Sequence, residues 1–299
     1  MDLRQLRYFI TIVDKKSYTK AAKILHVSQP SLSNTIKNLE KEVGFRLLER
    51  STRKIHLTAS GEVLYKRALE LLREFENIKK EMEEVKIEGT GTITIGLIES
   101  TKSWLPKVIK LFRGKYPHVK IQLIDILGKK NIYEALKKYD IHFAITNEYI
   151  SQPDIEMFPI YDEKLVLITN KNHPLNEMKT IQLSDLTEEP FIISKPSFQT
   201  RKDILSAFSS EELAPKILYE TERFETACSL VREGLGISII PESYLQSSFL
   251  ESLRIRQINN NKLTRIVYLS YLKDRYLPPI IYDLHHMIQR FFSSSINGF

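Results

Sequence analysis

Residues 17–40 read SYTKAAKILHVSQPSLSNTIKNLE, and this stretch decides the fold of the N-terminal part. Ser17 carries the short hydroxyl that caps a helix, and Tyr18 to Leu25 follow as that helix, with Ala21 and Ala22 small enough for a second helix to come close. His26-Val27 leaves room only for a short turn. Ser28 then starts another helix, with Pro30 near its first turn, where a missing N–H costs little. Leu32, Ile36 and Leu39, with Val43, give it an apolar stripe, and Gly44 ends it. Its other face shows Gln29, Ser31, Ser33, Asn34 and Lys37, groups that can donate to phosphates and base edges. For Ser28, capping and contact are both open readings.

Working outward, Leu6, Phe9, Ile10 and Val13 are spaced as the buried face of a preceding helix. Downstream, Phe45 to Leu57 reads as a short β-hairpin whose tip gathers Arg50, Ser51, Thr52, Arg53 and Lys54. Leu57-Thr58 leads into a further helix capped by Thr58 or Ser60. The charge of the chain is concentrated here. Residues 1–60 hold twelve Lys and Arg against five acids, so they carry the whole net charge of +7 of the 299-residue chain, and the remainder balances. Such asymmetry points to a polyanion partner for this segment, or to a solvated basic surface.

The run from Leu6 to Leu64 resembles the DNA-binding domain of the LysR-type transcriptional regulators. The matching residues are Leu6-Arg7-Tyr8-Phe9, Ser17, Ala21-Ala22, Leu25, Val27-Ser28-Gln29-Pro30, Ser33, Ile36, Leu39-Glu40, Gly44, Leu47, Glu49-Arg50 and Leu57-Thr58 followed by Gly61. Two positions depart: Lys16 stands where the family often has Gly, and Leu48 where it usually has Phe. The resemblance implies a winged helix-turn-helix whose helix from Ser28 enters the major groove of double-stranded DNA while the wing meets backbone or minor groove. Base reading then falls to Gln29, Pro30, Ser31, Ser33 and Asn34. Phosphate contact falls to Thr19, Lys20, Lys37, Arg50, Arg53 and Lys54.

From Gly61 to Lys86 there is no proline, and Leu64, Ala68, Leu71, Phe75, Ile78, Met82 and Val85 fall at alternating steps of four and three. That seam predicts a coiled coil, with Leu64, Leu71, Phe75, Ile78 and Met82 as dimer contacts. A two-fold dimer suits paired half-sites in a promoter. Gly89-Thr90-Gly91 reads as a hinge.

Beyond Gly91 strands and helices alternate. Strands are expected at 93–97, 119–123, 141–146, 164–169, 191–194, 215–220, 236–240, 253–258 and 265–272. Helices are expected at 104–116, 131–138, 199–210, 223–233 and 279–292. The alternation predicts an α/β architecture with mostly parallel sheets. Ile95-Gly96, Leu105-Pro106, Phe112, Tyr116-Pro117, Gly128, Ala144-Ile145 and the run from Val231 through Gly234-Leu235-Gly236-Ile237 to Pro241 resemble, more loosely, the effector domain of the same family. The resemblance implies two lobes of periplasmic-binding-protein type around a cleft, with the chain crossing near 160–164 and 262–267. The expected organisation is a DNA-binding domain over 1–60, a coiled-coil linker over 61–88 and an effector domain over 89–299. Lobe I would comprise about 90–161 plus 267–299, and lobe II about 162–266. The family usually places Asp where His142 stands, so His142 is expected as a half-exposed strand residue and the cleft as altered there.

Ligands in such clefts sit where strands end and helix N-termini point inward, a setting that suits an anion. The candidates are Ser100, Thr101, Lys102, Gly128, Thr146, Ser194, Phe198, Thr200, Arg201 and Thr226. For Ser100, Thr101 and Thr200, capping and ligand contact stay open, and Arg223 beside Glu222 and Glu225 reads as an ion pair. Enzyme chemistry finds no support: there is no Gly-rich phosphate loop and no nucleophile elbow, and the seven His are scattered. The adjacent His285 and His286 would point about 100° apart on a helix, and Cys228 in an apolar helical stretch reads as core. No cofactor or metal is expected. The partners expected are DNA, a second copy or a tetramer, a small metabolite effector and RNA polymerase, with no membrane span and a cytoplasmic location. The competing expectation is a DNA-binding oligomer whose C-terminal domain has lost sensing.

Overall fold

The computed structural model describes residues 1–50, 55–85, 91–245 and 252–295. The chain divides into two compact units, Met1–Glu83 and Glu84–Phe299.

The first unit holds α1 (Leu3–Lys15), α2 (Tyr18–Leu25), α3 (Gln29–Val43), a two-stranded hairpin of β1 (Leu48–Arg50) and β2 (Ile55–Leu57), and most of α4 (Ala59–Glu84). Each helix start is satisfied by a side chain. Asp2 and Gln5 form a reciprocal capping box at α1, Ser17 accepts from Lys20 N–H at α2, and Ser28 accepts from Ser31 N–H at α3. Lys16 closes α1 at φ 50°, a left-handed conformation that a glycine would take without strain and that costs lysine about 1 kcal/mol. The core is Leu6, Phe9, Ile10, Ala21, Ala22, Leu32, Ile36, Leu39, Leu47 and Leu48, all buried. The Glu40 carboxylate accepts from Leu47 and Leu48 N–H at 2.8 and 3.2 Å, which ties the hairpin to α3. Gly61 sits where a Cβ would stand 2.1 Å from the Leu47 carbonyl oxygen, so only glycine lets α4 start this close to the hairpin. The tip residues Ser51, Thr52, Arg53 and Lys54 lie outside the described residues.

Helix α4 divides the expected heptad seam. Leu64 and Ala68, with Tyr65 and Leu72, pack against the helix-turn-helix core. Leu71, Ile78 and Met82 stay 50%, 51% and 57% exposed. Leu64 therefore serves this unit's own interior, because the first two turns of α4 must cover the core that α1 leaves open. Gly89 and Thr90 of the expected hinge are outside the described residues.

The second unit contains β3 (Gly91–Leu97), α5 (Leu105–Lys115), β4 (Val119–Asp125), α6 (Lys129–Lys137), β5 (Phe143–Thr146), β6 (Ile155–Asn170), β7 (Pro190–Ser194), α7 (Gln199–Ser209), β8 (Lys216–Thr221), α8 (Phe224–Arg232), β9 (Ile237–Pro241), β10 (Leu253–Arg256), β11 (Thr264–Leu272) and α9 (Pro279–Ser295). Strand order is β4-β3-β5-β11-β6-β9-β7-β8, with β10 added on β6. The sheet is mixed rather than mostly parallel. β3 and β7 pair in parallel with their neighbours, whereas every pairing of β6 and β11 is antiparallel. The cause is β6, expected only over 164–169 but sixteen residues long. Its first part pairs with β11 as far as Lys164↔Thr264, and its second part, from Leu165, pairs with β9. Lobe I gathers β3, β4, β5 and the early part of β6, with α5 and α9 packed on one face and α6 on the other. Lobe II gathers β7, β8, β9, β10 and the late part of β6, with α7 on one face and α8 on the other.

Candidate nucleic-acid interface and ligand cleft

In the first unit, α3 displays Ser28, Gln29, Pro30, Ser31, Asn34 and Lys37 to solvent, with Ser33 half-buried. Thr19 and Lys20 are exposed on the first turns of α2. The Ser28 hydroxyl is engaged as the N-cap. No acid occurs on α3 before Glu40, and Glu40 is turned into the hairpin hydrogen bonds described above. The exposed start of α3 is therefore polar, free of negative charge and headed by helix N–H groups, which suits phosphate approach. Arg46 was not singled out by sequence; it shares a concave surface with Lys37 and Glu49 between α3 and the hairpin. Arg50 lies in β1 opposite Ile55, and Arg53 and Lys54 are outside the described residues.

In the second unit a cavity of about 30 Å³ opens between the lobes, lined among others by Ser100, Gly128, Thr146, Phe198, Thr200, Glu99, Glu148 and Arg265. The first five of these were sequence candidates. The other five candidates are turned elsewhere, and the reasons are local. Thr101 is fully buried and donates to the Ile98 carbonyl. Lys102 reaches outward to Asp125 at 3.7 Å. Arg201 donates to the Ser194 carbonyl and pairs with Glu220, which removes both Arg201 and Ser194 from the lining. Thr226 faces solvent on α8. Arg223 pairs with Asp125 at 2.9 Å rather than with Glu222 or Glu225.

The group missed by sequence is Arg265. Its guanidinium is held by Glu163 at 2.8 and 2.6 Å, by Thr200 Oγ1 at 2.9 Å and by Asp203 at 3.0 Å. The Asn147 amide, with its oxygen turned to the guanidinium, lies 3.0 Å from both terminal nitrogens. Burial works against the charge, but Glu163 and Asp203 outweigh it and keep Arg265 protonated. The only sequence signal was an acid and a base inside otherwise apolar strands. Glu99 was also missed. Its carboxylate accepts from Phe224 N–H, at the start of α8, at 3.1 and 3.3 Å. Burial raises its pKa, and that N–H with Lys102 and Arg223 opposes the shift.

Three helices begin at the cleft without a cap from their own N-cap residue: α6 after Gly128, α7 after Phe198 and α8 after Arg223. The starts of the first two contribute Gly128, and Gln199 with Thr200, to the cavity lining. The Ser100 hydroxyl, 1% exposed, has no hydrogen-bond partner of acceptable geometry, although it stands near enough to the Tyr161 hydroxyl to act on it. Thr146 Oγ1 accepts from Glu148 N–H at 3.1 Å.

His142 is not in this lining. It is buried, its Nδ1 accepts from Thr94 N–H at 2.9 Å, and its Nε2 stands 3.3 Å from Glu84. Glu84 in turn meets Arg275 at 2.6 Å, and despite burial the His142 and Arg275 contacts hold its carboxyl below the usual range. The expectation of a half-exposed strand residue fails because this imidazole bridges β3 to a buried ion pair. His285 and His286 stack at 5.7 Å rather than diverging, and no group of three metal-ligating side chains occurs among the described residues. Nor, among them, is any helix long and apolar enough to cross a membrane.

Two family patterns match the chain: "Bacterial regulatory helix-turn-helix protein, lysR family" over residues 3–62 and "LysR substrate binding domain" over residues 87–293. The chain is 32% identical to the HTH-type transcriptional regulator BenM of Acinetobacter baylyi, covering 98% of this chain and 97% of that one. It is 31% identical to the Hca operon transcriptional activator HcaR of Escherichia coli, covering 97% of each. Full-length BenM superposes with a TM-score of 0.61 over 99% of this chain and 98% of that one. Full-length CbnR in complex with its target DNA superposes with a TM-score of 0.56 at 26% identity, over 97% of this chain and 99% of that one.

Proposed function

The chain belongs to the LysR family of bacterial transcriptional regulators, and from that premise we propose that it reads promoter half-sites as a homodimer or tetramer under the control of a small carboxylate-bearing metabolite. DNA reading falls to Gln29, Pro30, Ser31, Ser33 and Asn34 on α3, with Thr19, Lys20, Lys37, Arg50, Arg53 and Lys54 holding phosphates. Ser28 orients α3 as its cap. Dimer contacts come from Leu71, Phe75, Ile78 and Met82. The protein acts in the cytoplasm, with RNA polymerase as its downstream partner, and catalyses no reaction.

The observation that carries the sensing reading is the buried, unbonded Ser100 hydroxyl in a cavity onto which α6 and α7 open uncapped. A buried polar group without a partner is costly, and a bound acceptor or donor would remove that cost. Helix N-termini carry about half a positive charge each, so a carboxylate is the natural occupant. At about 30 Å³ the cavity has room for about two waters as it stands, so a metabolite enters only as the walls part. The rival reading, a domain that no longer senses, drew on His142, and His142 lies outside the lining. Thermal unfolding across a panel of metabolites tests the proposal. One or more carboxylates should raise the melting temperature, and a Ser100→Ala variant should lose that response. A panel without any shift removes sensing.

A further inference from the structure

Glu99 joins the two lobes in a way that bears on what the cleft accepts. It belongs to the loop after β3 in lobe I, yet its carboxylate sits on the Phe224 N–H at the start of α8 in lobe II. No side chain from α8's own N-cap residue competes for that position. Of the three uncapped helix starts at the cleft, this one is already filled by an anion from the protein itself. Glu99, Leu127 and Phe198 also line a second, outer cavity of about 220 Å³, so these three side chains form the neck between the inner and outer spaces. On the outer side Arg223 closes on Asp125, a second lobe-to-lobe link beside the first, and Lys102 of lobe I stands 3.7 Å from the same carboxylate. The neighbouring Ser100 hydroxyl, buried and without a partner of good geometry, makes the inner space polar.

We propose that Glu99 is an internal occupant of the anion position at α8. It bolts lobe I to lobe II in the unliganded protein and must be displaced, or accommodated, by the effector. The proposal rests on the reading of the cleft as an effector site. It makes Glu99 a specificity-determining residue: an effector short enough to stay in the inner cavity leaves the bolt in place. One long enough to bring a carboxylate to α8 expels Glu99 and joins the two spaces. Displacing the carboxylate exchanges one charge-assisted hydrogen bond for another, so the exchange is near balance and responsive to ligand concentration.

Acetate tests this on the full-length protein, because it supplies the atoms that Glu99→Ala deletes. The Glu99→Ala variant should melt several degrees below the wild type, and about 50 mM sodium acetate, but not sodium chloride at the same ionic strength, should recover most of the loss. Wild type and Glu99→Gln, whose side chains fill the α8 position, should show at most the smaller response of the inner cavity. An equal response in wild type and Glu99→Ala, or none in either, overturns the proposal. If Glu99→Ala does not fold, hydrogen exchange at the Phe224 amide decides: it should be about fivefold faster in Glu99→Gln, whose acceptor is neutral, and unchanged exchange overturns the proposal. Acetate rescue without any metabolite stabilising the wild type supports the bolt while ending the effector reading. A metabolite that stabilises the wild type, with no acetate effect on Glu99→Ala, ends the bolt alone.

Discussion

Arg265 and Glu163 are register partners on β11 and β6, one residue pair from the point where the two strands part, and their side chains meet through two hydrogen bonds of 2.8 and 2.6 Å. The pair therefore lies at the crossing between the lobes. From there Arg265 reaches Thr200 and Asp203 on α7 of lobe II. Both charged groups are almost wholly buried, so neither tolerates loss of the other.

The first prediction follows from that burial. Arg265→Met leaves Glu163 and Asp203 without their cation and should cost about 3 kcal/mol, seen as a melting temperature about 10 °C lower. Adding Glu163→Gln should return part of the loss, because the orphaned carboxylate is then neutral. If the double variant is as unstable as the sum of the two single ones, the pair is not coupled.

Helix α4 gives the second. Leu71 and Ile78 are about half exposed, so Leu71→Asp with Ile78→Asp should leave the helix-turn-helix folded by circular dichroism while sedimentation shows monomers. Leu64→Asp should instead unfold the first unit, because Leu64 packs on its core. A Leu71/Ile78 variant that keeps its normal oligomeric state would remove the coiled-coil contact.

The third concerns DNA. Arg53→Ala with Lys54→Ala should weaken binding to all sequences alike and flatten the slope of log affinity against log salt by about 1.8, the value for two lost phosphate contacts. Gln29→Ala should relax the preference at one base pair and leave the slope nearly unchanged. Equal losses on specific and random DNA for Gln29→Ala would remove it from base reading.

The helix-turn-helix was open to a sequence reading because its determinants are local: Ser17, Ser28 and Gly44 punctuate the helices, and the apolar spacing between them is regular. The lobes were legible as alternating α/β segments. Their joint was not, because Glu163 and Arg265 are 102 residues apart and each breaks the apolar pattern of its strand. The early part of β6 was missed for the same reason, since Pro159, Asp162 and Glu163 interrupt the alternation and only pairing with β11 makes it a strand. Strand-end loops pointed to the cleft, but within a loop sequence does not say which side chain faces in. Thr101 and Lys102 turned away where Glu99 and Ser100 turned inward.

The last prediction uses acid sensitivity. His285 is buried on α9 beside Phe158 and Tyr271, its Nε2 has no hydrogen-bond partner, and His286 stacks on it. Burial, and then the charge of His286, push its pKa down to about 4. An unfolded chain takes up a proton there near pH 6.5, and the folded one refuses it until about pH 4. Stability from this site is therefore complete above pH 6.5 and is lost as pH falls through that window, by about 2 kcal/mol in total once solvent access is allowed for. Glu84, Asp154 and Asp283, whose pKa values are lowered, lose their share only at lower pH. Glu99, raised by burial, works in the opposite direction but is common to both proteins compared. His285→Leu should accordingly flatten the fall in melting temperature between pH 7 and pH 5 relative to the wild type. Parallel curves for the two proteins over that interval would show that His285 is not the group responsible.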